Sequence, residues 1–470
     1  MIDGLKPYPE YKSTAQAWLG DVPRHWSVLP NRALFAEVKD RNHPDEEMLS
    51  VTITRGIVRQ KALLAGSSKK DGSNLDKSAY KLVLPRDIAY NKMRAWQGAI
   101  GASDLRGIIS PAYVVMRLRT DDNLPGYFHH LFRTPQFAKE AERWSYGITS
   151  DMWSLRPEHF KMIYTPQPPP AEQAAIVRFM NWTNGRLERT IRAKRKVIAL
   201  LTEQKQAIIH RALTRGLDPS VPLKPSGITW LGDIPQHWEL RPLKQLLVRM
   251  DYGTSENVRG EGSVRVLTMR HIRDGRVVLP EKGGLNAVPP GLLLEKNDML
   301  FNRTNSPELV GKVGLFAGDA DDEVTFASYL VRLRVRPEHN PIWLSYLLNS
   351  TVFWSYARSQ ALVSLHQANL NSKRYGQMVL PVPSRHAEQD RIVEHVRSQA
   401  GEIESATSRL EREIELLREY RTRLVADVVT GKLDVREAAS RLPEDTAPDI
   451  ASEPTDGLDE TEPADEEAAV

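Results

Sequence analysis

The stretch "WLGDVPRHW" (residues 18–26) returns as "WLGDIPQHW" (residues 230–238), 212 positions later and identical at seven of nine positions. A second echo lies downstream, where "AEQAAIV" (171–177) recurs as "AEQDRIV" (387–393) at an offset of 216. That alignment runs without a gap through 171–218 and 387–434, with 14 identities in 48 positions, and closes on "TRGLD" and "TGKLD". Ordinary composition would give about three identities by chance. The two offsets are nearly equal, so one unit of Trp-rich motif, intervening region and AEQ segment occurs twice.

Each AEQ segment follows a proline-rich stop, "YTPQPPP" or "LPVPSRH", and then runs free of proline, which spells a long helix. Steps of four and three pick out Ile176, Met180, Thr183, Leu187, Ile191, Lys194, Ile198, Leu201, Lys205, Ile208 and Ala212 in the first. The second has Ile392, Val396, Gln399, Ile403, Ala406, Leu410, Ile414, Leu417, Arg421, Leu424 and Val428. At 1.5 Å per residue, such helices are rods of about 60 to 65 Å, which suits a two-helix coiled coil better than the core of a small domain. Antiparallel pairing would return residues 430–434 to the first Trp-rich motif.

The intervening regions, 27–165 and 239–380, read as α+β domains with short strands such as "AYVVMRLR" and "SYLVRLRV". Their mutual likeness is faint: "LSVTITRGIV" (49–58) faces "LTMRHIRDGRV" (267–277), and "RDIAYNKM" faces "NDMLFNRT". A retained frame with drifted content is the pattern of two modules that read different things. The expected fold class is therefore α+β, with two such domains separated by two long helices that pair as an antiparallel coiled coil, pseudo-twofold from the tandem duplication.

Composition is compatible with this. The chain of 470 residues is 41% hydrophobic and 26% charged, ordinary for a soluble protein with more than one core. No apolar run approaches the roughly 18 to 20 residues needed to span a bilayer, and "MIDGLKPYPEYKSTAQAW" lacks a signal-peptide core, so a cytoplasmic location is expected. There is no cysteine, and the twelve histidines show no ligand spacing, so no metal site is expected. Residues 443–470 hold eleven Asp or Glu and no Lys or Arg, an acidic tail expected to be disordered. The other 442 residues set 64 basic against 49 acidic side chains, a net +15 where the whole chain carries +4. Such a body favours a polyanion. Walker A, GxGxxG and GxSxG patterns are missing, as are the "NPPF" and "DPPY" motifs of base-modifying enzymes, so catalysis is expected elsewhere.

Over residues 10–440, the tandem order of "WLGD[VI]PxHW", variable domain, proline stop, "AEQxxIV" helix and "T[RG]xLD" resembles the DNA-specificity subunit of type I restriction-modification systems. The resemblance implies target-recognition domains at 1–165 and 225–381, helical spacers at 166–224 and 382–440, and the tail at 441–470. It implies a non-catalytic subunit that recognises a bipartite asymmetric target on double-stranded DNA. Two modification (methyltransferase) subunits would bind the helices and methylate adenine, and restriction (motor and nuclease) subunits would complete the assembly. No cofactor belongs to this chain on that account; S-adenosylmethionine, ATP and Mg²⁺ fall to the partners. Two readers on one DNA face would sit about 10 base pairs apart. The rival readings are a stand-alone nuclease with an unrecognised site and a coiled-coil scaffold that binds no DNA.

The Trp-rich motif is expected to be structural, with His25 and His237 as turn or packing residues. DNA contact is assigned to basic and amide residues at turns. In the first domain these are Arg55, Arg59, Lys69, Lys70, Asn91, Lys92, Arg94 and Arg106. In the second they are Arg270, His271, Arg273, Arg276, Asn302, Arg303, Thr304, Asn305, Lys373 and Arg374. Eleven carboxylates with no aromatic residue cannot build a core and repel phosphate. Truncation at residue 443 is accordingly expected to leave target methylation by the assembled complex unchanged, as read by mapping methylated adenines.

Overall fold

The computed structural model describes residues 5–64, 76–147, 153–256, 262–318, 323–364 and 367–443. Lys69, Lys70 and the acidic tail beyond residue 443 lie outside the described residues. The chain is mixed α+β and divides into two compact units, Met1–Lys194 with Arg412–Val470, and Arg195–Glu411. Compactness thus groups the chain differently from a sequential division, because each unit takes part of both long helices. Among the described residues no helix is long and apolar enough to cross a membrane.

In the first unit, Tyr11–Ser13 pairs antiparallel with Asp21–Pro23 around the Trp-rich motif. Ser27–Pro30 pairs with Tyr164–Gln167, which sets the entry and exit of the intervening domain side by side. Between them lies an antiparallel four-stranded sheet in the order Phe35–Val38, Tyr113–Leu118, Ile88–Asn91, Ile100–Ala102. Helices Pro125–Phe132 and Pro135–Arg143 follow, each opened by a proline whose missing N–H costs nothing in the first turn. Thr134 caps the second of them, its hydroxyl accepting from the Phe137 N–H at 3.2 Å. Phe35, Tyr90, Phe128, Phe132, Phe137 and Phe160 form the core together with Ile176 and Met180 of one long helix and Val428 of the other.

The second unit repeats the plan. Leu223–Pro225 pairs with Asp233–Pro235, and Glu239–Pro242 with Val379–Val382. Its main sheet has six strands in the order Leu247–Tyr252, Leu330–Val335, Met299–Asn302, Val313–Leu315, Arg276–Val277, Ile272–Arg273. Helices Pro341–Asn349 and Thr351–Ser359 occupy the places of the earlier pair, and Trp343, Phe353, Tyr375, Leu213, Ile392 and Val396 lie in the core.

Where the sequence likeness was faint, the two domains share one device. "RDIAYNKM" and "NDMLFNRT" form the matching strands Ile88–Asn91 and Met299–Asn302. Before each strand, a residue with positive φ (Arg86, +79°; Asn297, +70°) precedes an aspartate. Asp87 accepts the Leu84 N–H and Asp298 the Glu295 N–H, both at 2.9 Å. Each carboxylate also takes a two-pronged arginine from a neighbouring strand, Arg117 at 2.7 and 2.9 Å and Arg334 at 2.8 and 2.8 Å. By contrast, 49–58 and 267–277 have parted. The former is the hairpin Leu49–Thr52 with Gly56–Arg59; the latter is a 3-10 turn, Met269–His271, followed by two-residue strands around Asp274 and Gly275.

The long helices span Pro170–Arg215 and His386–Val429. Every member of both four-three series is buried or half-buried, the charged Lys194, Lys205 and Arg421 included. These cations meet carboxylates of the opposite helix. In the first unit Lys194 pairs with Glu413 and Arg421 with Glu188; in the second, Lys205 pairs with Glu404 at 2.5 Å. Rising numbers on one helix meet falling numbers on the other, so within each unit the helices run antiparallel. The second helix ends against the first Trp-rich motif, as antiparallel pairing requires: the Asp434 N–H donates to Lys6 O at 2.7 Å, and the Tyr127 hydroxyl to Val429 O at 2.9 Å.

Gly431 closes this contact with φ +82°, and a Cβ there would lie 2.3 Å from Pro23 Cδ and 3.0 Å from Trp26. Gly216, at the end of the first helix, has φ +72°, but its Cβ would meet Trp238 at an ordinary 3.4 Å. Gly216→Ala should cost about 1 to 2 kcal/mol from the left-handed backbone alone. Gly431→Ala should cost a further ~1 to 3 kcal/mol from overlap. Urea denaturation is expected to rank them in that order.

Candidate nucleic-acid interface

The two repeated motifs are halves of one contact. Glu172, second residue of "AEQ", is buried; its Oε1 accepts from the Trp26 indole N–H at 3.0 Å and from the Tyr8 hydroxyl, while Oε2 pairs with His25 Nε2 at 2.8 Å. Burial and the Glu172 bond push the Tyr8 pKa up, so the phenol stays a donor. In the second unit Glu388 accepts from Trp238 at 2.9 Å and pairs with His237 at 3.0 Å. The neighbouring glutamines reach the helix that follows each sheet. Gln173 Oε1 accepts the Leu124 N–H at 2.8 Å, and Gln389 Oε1 the Asn340 N–H at 2.7 Å. His25 and His237 thus lie against these glutamates, each with one side open to solvent. Among the described residues no His, Asp or Glu cluster is arranged to hold a metal.

On this frame the first domain places its candidate side chains unequally. Arg55 lies on the exposed turn of the hairpin Leu49–Thr52 with Gly56–Arg59. Lys92 and Arg94, half-buried, precede the 3-10 turn Ala95–Gln97. Arg133 brings these two turns together. Its guanidinium donates to the carbonyls of Ile53 (2.7 Å), Thr54 (2.6 Å) and Thr52 (3.3 Å), and also to those of Gly98 (3.3 Å) and Ile100 (3.0 Å). Arg59 and Arg106 are exposed but partnered, Arg59 by Glu47 and Arg106 by Glu46 at 2.8 Å. Asn91 requires correction. It is buried, and its side-chain oxygen accepts the Met93 N–H at 2.9 Å, so it shapes the turn and presents nothing to a ligand.

In the second domain Arg270, Arg273 and Arg276 project from the 3-10 turn and its short hairpin, exposed and without a carboxylate partner among the described residues. His271, placed among them by sequence, is instead the closure of the turn. Its Nδ1 accepts the Thr268 N–H at 2.8 Å, and burial, then Arg270 and Arg273, lower its pKa and keep it neutral. Asn302 is likewise buried, in the strand Met299–Asn302, and is withdrawn from the surface.

Arg303, Thr304, Asn305, Lys373 and Arg374 form a second group. Arg303 lies over the Tyr252 ring at 5.1 Å, and the Tyr252 hydroxyl bonds Ser372, which precedes Lys373. The Leu370 N–H donates to Arg303 O at 2.8 Å, and Asn369 donates to the Thr304 hydroxyl at 3.1 Å. Asn305 Oδ1 accepts the Ser306 N–H at 2.8 Å. Tyr252 ends one edge strand of the six-stranded sheet and Ile272–Arg273 is the other edge, so the two groups stand apart.

No family model matches the chain. It is 24% identical over 163 residues to a candidate type I restriction enzyme MjaX specificity subunit of Methanocaldococcus jannaschii, a match that spans 33% of this chain and 38% of that protein. It is 22% identical over 414 residues to the type I restriction enzyme EcoKI specificity subunit of Escherichia coli K12, covering 82% and 85%. In sequence the chain is similar to type I restriction-enzyme specificity subunits. A solved structure concerned with complex assembly and conformational transition of the type I R-M system shares the fold, with a TM-score of 0.66 at 15% identity over 87% of this chain and 98% of that one.

Within this fold, two residues went unseen in the sequence. Lys81, buried in the strand Lys81–Val83, donates to Pro111 O at 2.9 Å and to Tyr113 O; burial, then Lys92 and Arg41, push its pKa down to about 8. Arg133 looked like any surface cation after "HHLF". Only the fold shows that its five acceptors belong to segments some eighty and thirty-five residues away. Arg133→Met strands those carbonyls, at a cost of about 2 to 4 kcal/mol. Hydrogen exchange should then accelerate at residues 53–56 and 98–101 while the second domain keeps its protection. Equal protection in both proteins would show that the turns hold without it.

Proposed function

We propose that this chain is the DNA sequence-specificity subunit of a type I restriction-modification enzyme. One observation carries the reading: the same clamped frame is built twice, and the outward turns differ on each copy. Glu172 and Glu388 hold equivalent Trp–His pairs, and Asp87 and Asp298 hold equivalent arginines. Yet the first frame presents a hairpin of two four-residue strands carrying Arg55, and the second a 3-10 turn and short hairpin carrying Arg270, Arg273 and Arg276. Such a pair suits a target with two unlike half-sites.

In this reading the domains are 1–165 and 225–381, and the helical segments 166–224 and 382–440 form an antiparallel coiled coil that fixes the distance between readers. The duplication gives the subunit its pseudo-twofold character. Two modification subunits dock on the helices, whose pattern repeats while the domains drift, and restriction subunits join them. S-adenosylmethionine, ATP and Mg²⁺ serve those partners, and this chain performs no chemistry. Exposed arginines at turns of a net +15 body are suited to phosphate and guanine edges.

Arg270→Ala, Arg273→Ala and Arg276→Ala together, assayed by methylome mapping in the complex, are expected to alter one half-site only. A base-reading arginine accounts for about 1 to 3 kcal/mol of discrimination, whereas loss of phosphate contacts weakens all sequences alike. One heptad inserted between Ala193 and Leu201 should leave both half-sites intact and change the spacing between them. A fixed spacing, or both half-sites altered by the arginine variant, would overturn the two-reader model. Absence of DNA binding in the presence of the partners would point to a scaffold.

A further inference from the structure

The second domain carries an exposed apolar ridge that the polar contacts leave unexplained. Leu362 and Val363 are 74% and 62% exposed, the most exposed large aliphatic residues among those described. They are consecutive in the strand Leu362–Ser364, the edge of a three-stranded sheet ordered Thr304–Asn305, Gln367–Asn369, Leu362–Ser364. Consecutive strand residues point to opposite faces, so no small rotation of this strand buries both. A bare apolar edge is an aggregation hazard that a protein retains where something covers it.

Two segments that carry exposed tyrosines meet at Arg303, beside this sheet. Tyr329, 53% exposed, accepts the Arg303 N–H at 3.2 Å through its carbonyl, and the Arg303 carbonyl accepts from Leu370 at 2.8 Å, one residue beyond the sheet. Tyr252, 45% exposed, lies beneath Arg303 and bonds Ser372. Cations surround the ridge. Arg374 donates to Gln360 O at 3.3 Å, just before the edge strand, Arg358 lies over Trp354 at 5.1 Å, and Lys373 is exposed. None of the four, Arg303 included, has an ion-pair partner among the described residues.

We infer that this strand enters a groove of duplex DNA at the half-site read by the second domain, where Leu362, on the face it shares with Asn369 and Thr304, meets base edges and the surrounding cations meet phosphates. The inference rests on the specificity reading above and identifies its base-discriminating surface. A two-stranded β-ribbon fits the major groove, and an aliphatic side chain there recognises the thymine methyl group, which no arginine can do. Phosphates on either side satisfy the unpaired cations. The charge argues for a polyanion over an apolar protein surface, which would leave four cations desolvated without partners.

The test uses the full chain co-expressed with its modification partner, comparing wild type, Leu362→Ser and Val363→Thr, with thermal melting as the folding control. Both positions are exposed, and threonine keeps the branched shape that a strand favours. Leu362→Ser is expected to lose about five- to hundredfold discrimination at an A·T pair of one half-site, seen as degeneracy in the methylated motif, whereas Val363→Thr, on the opposite face, keeps the wild-type motif. The other half-site stays fixed, and the salt dependence of binding is unchanged because no charge is removed. A wild-type motif from folded Leu362→Ser, or equal degeneracy from Val363→Thr, overturns the ridge and leaves the specificity reading standing. A wild-type complex that methylates without a definable motif overturns that reading, and the ridge with it. Loss of the modification subunit from the variants, with the motif unchanged, shows a protein dock and also overturns the proposal.

Discussion

A carboxylate near the start of each long helix, buried at Glu172 and half-buried at Glu388, ties that helix to its domain. Glu172 joins helix to domain by taking the Trp26 indole, the His25 ring and the Tyr8 hydroxyl at once, and Glu388 does the same with Trp238 and His237. A buried carboxylate is costly unless its lone pairs are occupied, and here donors from another segment occupy them. That condition fixes geometry as well as energy. The helix can begin only where the motif's two aromatic rings stand, so each intervening domain is held at a set place on its helix. The returning end of the second helix completes the first site, with Gly431 packed against Pro23 and Trp26.

Above these anchors, invariance and variation are separated physically. The strands Ile88–Asn91 and Met299–Asn302 are pinned by bidentate Asp–Arg pairs with one carboxylate almost wholly buried in each case. Hydrogen bonding to Asp87 raises the pKa of Arg117, and Asp298 does likewise for Arg334, so both arginines stay charged at any ordinary pH. Turns outside these pins are free to differ. Arg133 in one domain and the buried Arg332 in the other serve as internal braces: Arg332 donates to the carbonyls of Gly291 and Leu293 at 2.8 and 2.9 Å and to Asp251 at 2.6 Å. A guanidinium spent on carbonyls is unavailable to DNA, which is why counting basic residues overstates a reading surface.

Much of the frame was legible in the sequence. The four-three series predicted which helix residues lie inside, even at Lys194, Lys205 and Arg421, because a long cation can bury its stem while its head meets a glutamate across the seam. The turn residues fared less well. Asn91, His271 and Asn302 have the polar chemistry of a reading surface, yet two are buried and one closes a 3-10 turn. Amide and imidazole groups serve backbone and ligand with the same atoms, so residue type alone does not assign them. Arg59 and Arg106 are exposed as expected, but adjacent glutamates partner them, and that pairing depends on strand register.

The sequence alone determined the duplication, the helices with their buried stripes, and the antiparallel return, because repeats and periodicity are local patterns that survive without coordinates. It also marked Glu172 with Trp26, and Glu388 with Trp238, as repeated identities. Only the tertiary structure decided that each pair is a single contact spanning about 150 residues, that Arg133 points inward, and that the segments of Tyr252 and Tyr329 meet at Arg303. The reason is physical. Which donor meets which acceptor across a long separation is set by how strands register and pack, and composition carries no record of that.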